Sequence, residues 1–323
     1  DGQWETPVVT EDFNIVLSPF AGVFHYAPSC FEGLKAFRGV DGKIRLFRPD
    51  MNSKRMADSA RYLDMPYPSE ELFIDMCVRC VQGNMEYLPP YEVQSASLYL
   101  RPVLFGMNPQ LGIHSAKDVM FVVMCSPVGT YSGDKSLAPA NAVISRNYDR
   151  SATFGSGCHK LGANYAQSLH AYNIAHGSGY RELLFLDSAT RTTIEEFGSS
   201  NFFAIKGNTY VTPLSRSVLP SITNDSLRTV AADMGMGVET RPINVEELAE
   251  FDEAGSCGTA VVITPICEID DKPVLEGMEI TRRYEIGSKE RCGDVSERLY
   301  REIIGIQRGL RPDPRGWSVF IDE

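Results

Sequence analysis

Two hydrophobic periods alternate along the chain, and their order divides it. Between residues 21 and 50 the text LKAFRG, VDG, KIRLFRP reads as two strands joined at Asp41-Gly42, because glycine supplies the positive φ that a tight hairpin needs. A helix follows, with Asp50 as its N-cap ahead of NSKRMADSARYL. Ser69 with Glu70 and Glu71 opens the next helix in the same way, and the spacing of Leu72, Met76 and Cys80 predicts that these three face the core. Strands come next at SASLYLRPVLFG and DVMFVVMC, so residues 1–125 read as a small α+β domain with a mostly antiparallel sheet. The longest apolar run, Val119 to Val128, is broken by Pro127 and falls short of the ~20 residues that span a bilayer, so it reads as a buried strand.

Gly, Pro and Ser concentrate in SPVGTYSGDKSLAP, and residues 126–140 are therefore expected to connect the first domain to a second at 141–323. In that second domain NAVIS is a strand, NYAQSLHAYNIAHG a helix closed by Gly177, and RELLFLD a strand ending in the turn DSATRT. Strands at TTIEEFG and NFFAIKGNTYVT flank a loop. LPSITNDSLRTVAADMG is a helix capped by Ser221 or Thr223, with Leu227, Val230, Ala231 and Met234 on its apolar face. VETRPI, a short helix at VEELAEF and the strands around CGTAVVITPICEID complete the domain. No internal repeat is present.

Composition removes several function classes. The net charge is -11 with no cluster of Lys or Arg, so the basic footprint of a nucleic-acid binder is missing. Eight cysteines scattered through 323 residues favour reduced thiols and a cytoplasmic setting, or an organelle if a transit peptide has been removed. Cys77 and Cys80 form a lone CxxC at helical spacing, which reads as core packing before it reads as a metal or redox site, and the five histidines show no zinc spacing. No metal is expected.

The stretch GSGCHKLGANYA sets Lys160 in a glycine-rich turn before a helix. A phosphate loop needs Ser or Thr after the lysine, and a dinucleotide fingerprint needs a third glycine where Lys160 stands, so both fail. A partly desolvated amine can form a Schiff base with a carbonyl, although a solvated surface lysine is the commoner outcome of such a pattern. Glu195 and Glu196 precede a Gly-Ser-Ser loop, where one could enter a site or both could be a solvated turn. The start of the LPSIT helix is a candidate anion site, since helix N-termini present unsatisfied N–H groups.

Taken together, HYAPSCFEGLKAFR, LFRPDMNSKRM, SLYLRP, GCHKLGANYAQSL, LFLDSATRTTIEEFGSSNFF, VLPSITNDSL and CGTAVVITP resemble, in order and over nearly the whole chain, the branched-chain amino acid aminotransferases of the fold type IV pyridoxal-phosphate enzymes. The resemblance implies a two-domain α+β architecture like that of D-amino acid aminotransferase, pyridoxal 5'-phosphate as cofactor, and amino-group transfer between L-leucine, L-isoleucine or L-valine and 2-oxoglutarate. It implies that Lys160 holds the cofactor covalently and then shuttles the proton at the substrate α-carbon. Glu196, five residues before Asn201, would face the pyridine nitrogen, with Glu195 as its neighbour. Tyr165 would meet the phenolic oxygen, while Arg55, Leu219, Ile222, Thr223 and Thr259 would hold the rest of the cofactor, the phosphate above all. For the substrate it implies Tyr99 and Arg101, the arginine meeting the side-chain carboxylate of glutamate. Thr259 and Ala260 would bind the α-carboxylate, and Tyr26, Phe31 and Tyr131 would wall an apolar pocket. Because a buried arginine left bare by leucine is costly, Arg101 is expected to sit near solvent or to keep a tyrosine or water partner. Members are usually homodimers, and the loop at residues 105–114 is the candidate partner loop. Ala163 stands where many members have a second glycine, and AVVITP lacks the CxxC some animal members carry. A D-amino acid aminotransferase, an aminodeoxychorismate-lyase-like enzyme and a non-catalytic binding protein are the other readings.

Overall fold

Turn chemistry and strand pairing account for most of the first half of the chain. The computed structural model describes residues 3–93, 96–129 and 137–322. Strands Ser29–Phe31 (β1), Leu34–Arg38 (β2), Ile44–Phe47 (β3), Ser97–Gly106 (β4) and Val119–Val128 (β5) form an antiparallel sheet, with Ser318–Ile321 added beyond β3. Gly42 takes the left-handed φ of 76° that the β2–β3 turn demands. A short helix, Gly22–Tyr26 (α1), precedes the sheet, and helices Pro49–Tyr62 (α2) and Glu70–Gln82 (α3) cover it.

Two local expectations shift. Pro49 occupies the first helical position of α2, where its missing N–H costs nothing, so Arg48 is the cap position and Asp50 sits inside the first turn. In α3, Ser69 accepts from the Leu72 N–H at 3.2 Å as its cap, but the fully buried stripe is Phe73, Cys77 and Val81, one position on from the trio the spacing suggested. The long apolar run is a strand, yet not a buried one. Only Phe121 in β5 is buried, because among the described residues β5 pairs with β4 alone and lies at the sheet edge, where Pro127 is tolerated.

The residues group into two compact units. One takes residues up to Gly129 together with His159–Ala163 and the chain from Ile306 onward; the other takes those up to Cys158 and Asn164–Gly305. This grouping departs from a single cut at 126–140. Residues 126–128 continue β5, the Phe31 N–H donates to the Lys160 carbonyl at 3.1 Å, and the C-terminal strand pairs with β3, so backbone hydrogen bonds return distant segments to the first unit.

The second unit contains Ala140–Ser145 (β6), the helix Gly162–Gly177 (α4) from Asn164 onward, Glu182–Leu186 (β7), Ile194–Phe197 (β8), Asn201–Lys206 (β9), Thr209–Pro213 (β10), Ile222–Asp233 (α5), Gly237–Arg241 (β11), Glu253–Gly258 (β12), Val262–Lys272 (β13) and Arg282–Glu285 (β14). Strands β9, β12, β13, β6, β7 and β8 close on themselves, because β8 also pairs with β9 through Glu196 and Asn201. Closure surrounds a core that includes Leu184, Phe197, Phe202, Ile266 and Ile269. NFFAIKGNTYVT proves to be two strands, turning at Gly207 with φ 56°. Likewise Gly177 remains helical, and Gly179 at φ 85° ends α4, with the Tyr180 N–H returning to the Ala175 carbonyl. Among the described residues no helix is long and apolar enough to cross a membrane.

Candidate active site

In the first unit, Lys160 is fixed at both of its peptide groups. Its N–H donates to Ser59 Oγ at 2.9 Å, its carbonyl accepts from Phe31, and the next residue, Leu161, bridges to Cys30. Its ammonium lies 4.8 Å from the Phe31 ring centroid. A cation so placed gains from the ring quadrupole and is partly withdrawn from water, which separates it from an ordinary surface lysine. His159 stacks on Tyr62 with ring centroids 4.2 Å apart, and burial pulls its pKa below the usual histidine value.

Helix α2 supplies the next parts. Ser59 Oγ, besides receiving the Lys160 N–H, donates to the Arg55 carbonyl at 2.9 Å one turn earlier. Arg55 makes a two-pronged ion pair with Glu32, Nε to Oε1 at 2.7 Å and Nη2 to Oε2 at 2.8 Å, and Asn52 donates to the same carboxylate at 2.7 Å. Glu32 is wholly buried. Sequence reasoning passed over it, although an acid between Phe31 and Gly33 in a run of buried positions carries a signal: such a charge must be paired.

Tyr99 and Arg101 alternate on β4 and so share a face. Arg101 Nη2 donates to the Tyr99 hydroxyl at 3.0 Å, and its guanidinium lies 4.8 Å from the Phe31 ring and 5.3 Å from the Tyr99 ring. The arginine is half-buried and keeps a tyrosine partner, one of the two arrangements expected of it. Gly33 makes room for this pair, because a methyl group there would overlap the Tyr99 hydroxyl. Tyr26, at the end of α1, is half-exposed and donates its hydroxyl to the Leu111 carbonyl, within the candidate partner loop. Tyr131 lies outside the described residues.

The second unit builds an acid cluster on β8. Glu196 is buried and takes Arg150 Nη2 on Oε1 at 2.7 Å, the Leu219 N–H on Oε1 at 3.0 Å and Asn201 Nδ2 on Oε2 at 3.1 Å. The five-residue spacing thus has a physical meaning: Glu196 and Asn201 are cross-strand partners either side of a tight turn. Asn201 also donates to the Leu219 carbonyl at 2.9 Å, which ties the loop after β10 to the acid. Arg150, absent from the sequence-derived set, reaches the Gly157 and Ser217 carbonyls as well. Gly157 is required for that approach, since a methyl group there would run into the Ser217 carbonyl and the Arg150 guanidinium. Glu195, on the opposite face of β8, is also buried, and its Oε1 accepts from Ser215 and Ser217. Neither glutamate belongs to a solvated turn.

Ser221 caps α5, accepting from the Asn224 N–H at 3.1 Å, which leaves the N–H groups of Ile222 and Thr223 in a first turn with no intrahelical acceptor. Thr259 and Ala260 occupy the turn between β12 and β13, and Val262 just beyond has φ 63°. A β-branched residue in the left-handed region stores on the order of 1–3 kcal/mol of strain, a feature that clusters at ligand-binding turns. Tyr165 stands half-buried in the first turn of α4. The structure therefore collects Lys160, Arg55, Phe31, Tyr99 and Arg101 in one unit, and Glu196, Leu219, Ile222, Thr223, Thr259, Ala260 and Tyr165 in the other.

The chain is similar to known proteins over most of its length. The Helicobacter pylori branched-chain-amino-acid aminotransferase is 40% identical over 319 residues, covering 98% of this chain and 90% of that protein. The Haemophilus influenzae branched-chain-amino-acid aminotransferase is 40% identical over 330 residues, covering 100% and 93%. Among solved structures, the T.th. branched-chain amino acid aminotransferase with pyridoxamine 5'-phosphate superposes with a TM-score of 0.80 at 25% identity, covering 98% of this chain and 96% of that one. The Escherichia coli branched-chain amino acid aminotransferase gives 0.78 at 27% identity, covering 94% and 93%. The amino-transferase class IV profile matches residues 29–269, a span that runs from β1 through Lys160 and the Glu196 cluster into β13, and the chain belongs to that family.

Proposed function

We propose that this protein is a pyridoxal-phosphate-dependent aminotransferase that moves the amino group between L-leucine, L-isoleucine or L-valine and 2-oxoglutarate. The observation that carries the reading is full-length similarity to branched-chain enzymes, at 40% identity over 98% or more of the chain, in a protein that keeps Lys160, Arg55, Tyr99, Arg101, Glu196 and Thr259.

The donor set fits the cofactor. An amine on a pinned backbone, a buried carboxylate held by Arg150, Leu219 and Asn201, and a first helical turn with open N–H groups are what an aldehyde, a pyridine nitrogen and a phosphate call for. When bound, the cofactor supplies an electron sink for the Cα–H bond of the substrate. Lys160 would hold it, and its free amine would take and return the α-proton of the substrate. Glu196 keeps a proton on the ring nitrogen, held to that task by Asn201 and Leu219. In the second unit the N–H groups of Ile222 and Thr223 suit the phosphate; in the first, Arg55, its guanidinium oriented by Glu32, is the candidate cation for it.

Arg101 explains how one pocket serves both an aliphatic and an acidic side chain. With glutamate bound it meets the side-chain carboxylate; with leucine bound its Nη2 retains the Tyr99 hydroxyl and the guanidinium keeps two aromatic faces. Thr259 and Ala260 offer N–H groups to the α-carboxylate, and Phe31 and Tyr26 supply an apolar wall. We take the working form to be a homodimer in which the loop at residues 105–114 reaches the partner.

The test is direct. Purified protein should be yellow, should transaminate L-leucine, L-isoleucine and L-valine with 2-oxoglutarate, and should lose turnover in Lys160→Ala. Preference for D-amino acids, or a protein that gains neither colour nor activity with added pyridoxal phosphate, overturns the reading. Sedimentation of a fully active monomer would refute the dimer.

A further inference from the structure

Strand β8 carries two adjacent buried glutamates, and the reading above uses only Glu196. Glu195 is 1% exposed, accepts from Ser215 Oγ at 2.8 Å and from Ser217 Oγ through a single oxygen, and leaves Oε2 buried without a hydrogen-bond partner among the described residues. Burying an acid this way is costly unless its contacts serve the surroundings. Those contacts all fall on one segment. Residues 214–221 join β10 to α5, and four side chains grip this segment in turn: Glu195 takes the hydroxyls of Ser215 and Ser217, Arg150 takes the Ser217 carbonyl, and Glu196 with Asn201 takes both peptide groups of Leu219. Just beyond the segment α5 begins, with the open N–H groups of Ile222 and Thr223. The Ser217 N–H donates to Ser215 Oγ at 3.2 Å, so the two serines and Glu195 form one closed knot at the head of the segment.

We infer that Glu195 is a positioning residue: by clamping Ser215 and Ser217 it sets where Leu219 meets Glu196 and where the first turn of α5 presents its N–H groups to the cofactor phosphate. The inference rests on the cofactor reading above. Alternation along β8 points Glu195 away from Glu196, so it acts through the segment and does not touch the cofactor.

The test titrates pyridoxal phosphate into apo-protein, following the quench of tryptophan fluorescence and the absorption band of the bound cofactor. Glu195→Ala and Ser217→Ala should each weaken binding on the order of tenfold, the usual consequence of breaking a buried hydrogen bond to a charged group, and should shift the band. Glu195→Gln, whose amide oxygen accepts both hydroxyls, should stay within about threefold of the parent. Ser217→Ala removes one hydroxyl only and keeps the test decisive should Glu195→Ala fail to fold. Parent-like affinity and band position in both alanine variants, or a Glu195→Gln as weak as Glu195→Ala, overturns the inference. Glu196→Gln run alongside separates the two readings. A parent that binds no cofactor, or a Glu196→Gln with parental turnover, sinks the reading of Glu196. A normal parent and an impaired Glu196→Gln, with unaltered Glu195→Ala and Ser217→Ala, removes the role of Glu195 alone.

Discussion

Replacing Glu32 with alanine should strip the first unit of a large share of its stability. The carboxylate is fully buried, receives two bonds from Arg55 at 2.7 and 2.8 Å, and receives a third from Asn52 at 2.7 Å. Removing one member of a buried ion pair costs about 3–5 kcal/mol, because the surviving charge keeps its desolvation penalty without its counter-ion. The Arg55 side chain is 11% exposed, which gives water one route to the guanidinium, so the low end, about 3 kcal/mol, is expected. With a urea slope of roughly 2–3 kcal/mol/M, the midpoint should move down by about 1 M. The assay is urea unfolding followed by circular dichroism for Glu32→Ala, Arg55→Ala and the pair. Because each single change strands the other charge, the double variant should be less destabilised than the sum by at least ~2 kcal/mol. Additive losses, or a midpoint shift under about 0.3 M at constant slope, would refute the argument that the pair is a desolvated unit.

Gly33→Ala should displace the Tyr99 hydroxyl from Arg101 and raise KM for glutamate about tenfold, more than for leucine, in steady-state kinetics with both donors. Gly157→Ala should lower turnover strongly by pushing Arg150 and the Ser217 carbonyl apart, with the loss visible as weaker cofactor retention on gel filtration. Burial pushes the Glu182 carboxyl up to about 7, against the opposing pull of Arg181 and a bond from Ser256. Between about pH 4.5 and 7 the folded state therefore keeps a proton that the unfolded state has lost, and stability falls as pH rises through that window, by up to ~1.4 kcal/mol per unit. Glu182→Gln should flatten that slope in melting temperatures measured at about pH 5 and about pH 7.5, either side of most of the window; an unchanged slope would show that another group is responsible.

What could be read along the chain follows the range of the forces involved. Period and turn chemistry act over a few residues, so the β2–β3 hairpin, the Ser69 cap and the Ser221 cap were legible. The edge position of β5 was not, because an apolar run looks alike whether it has one neighbour or two, and the neighbour is chosen by the sheet. The site divides in the same manner. Lys160 and the Glu196–Asn201 spacing announce themselves locally, the second because a hairpin turns a spacing of five into a cross-strand pair. Arg150 was invisible, since its partners Glu196 and Ser217 stand 46 and 67 positions away and nothing around it is unusual. Glu32 lies between these extremes: its partner is remote, yet its burial could be inferred from the apolar positions around it, and a buried acid demands a cation. The two glutamates of β8 carry the same lesson further. Local pattern can say that one of an adjacent pair faces each side of a strand, but it takes Arg150 and the segment 214–221, folded back from beyond β10, to distinguish them: Leu219 and Arg150 bond to Glu196, and the serines bond to Glu195. Adjacent identical side chains thus take different roles through what the rest of the chain brings to each face.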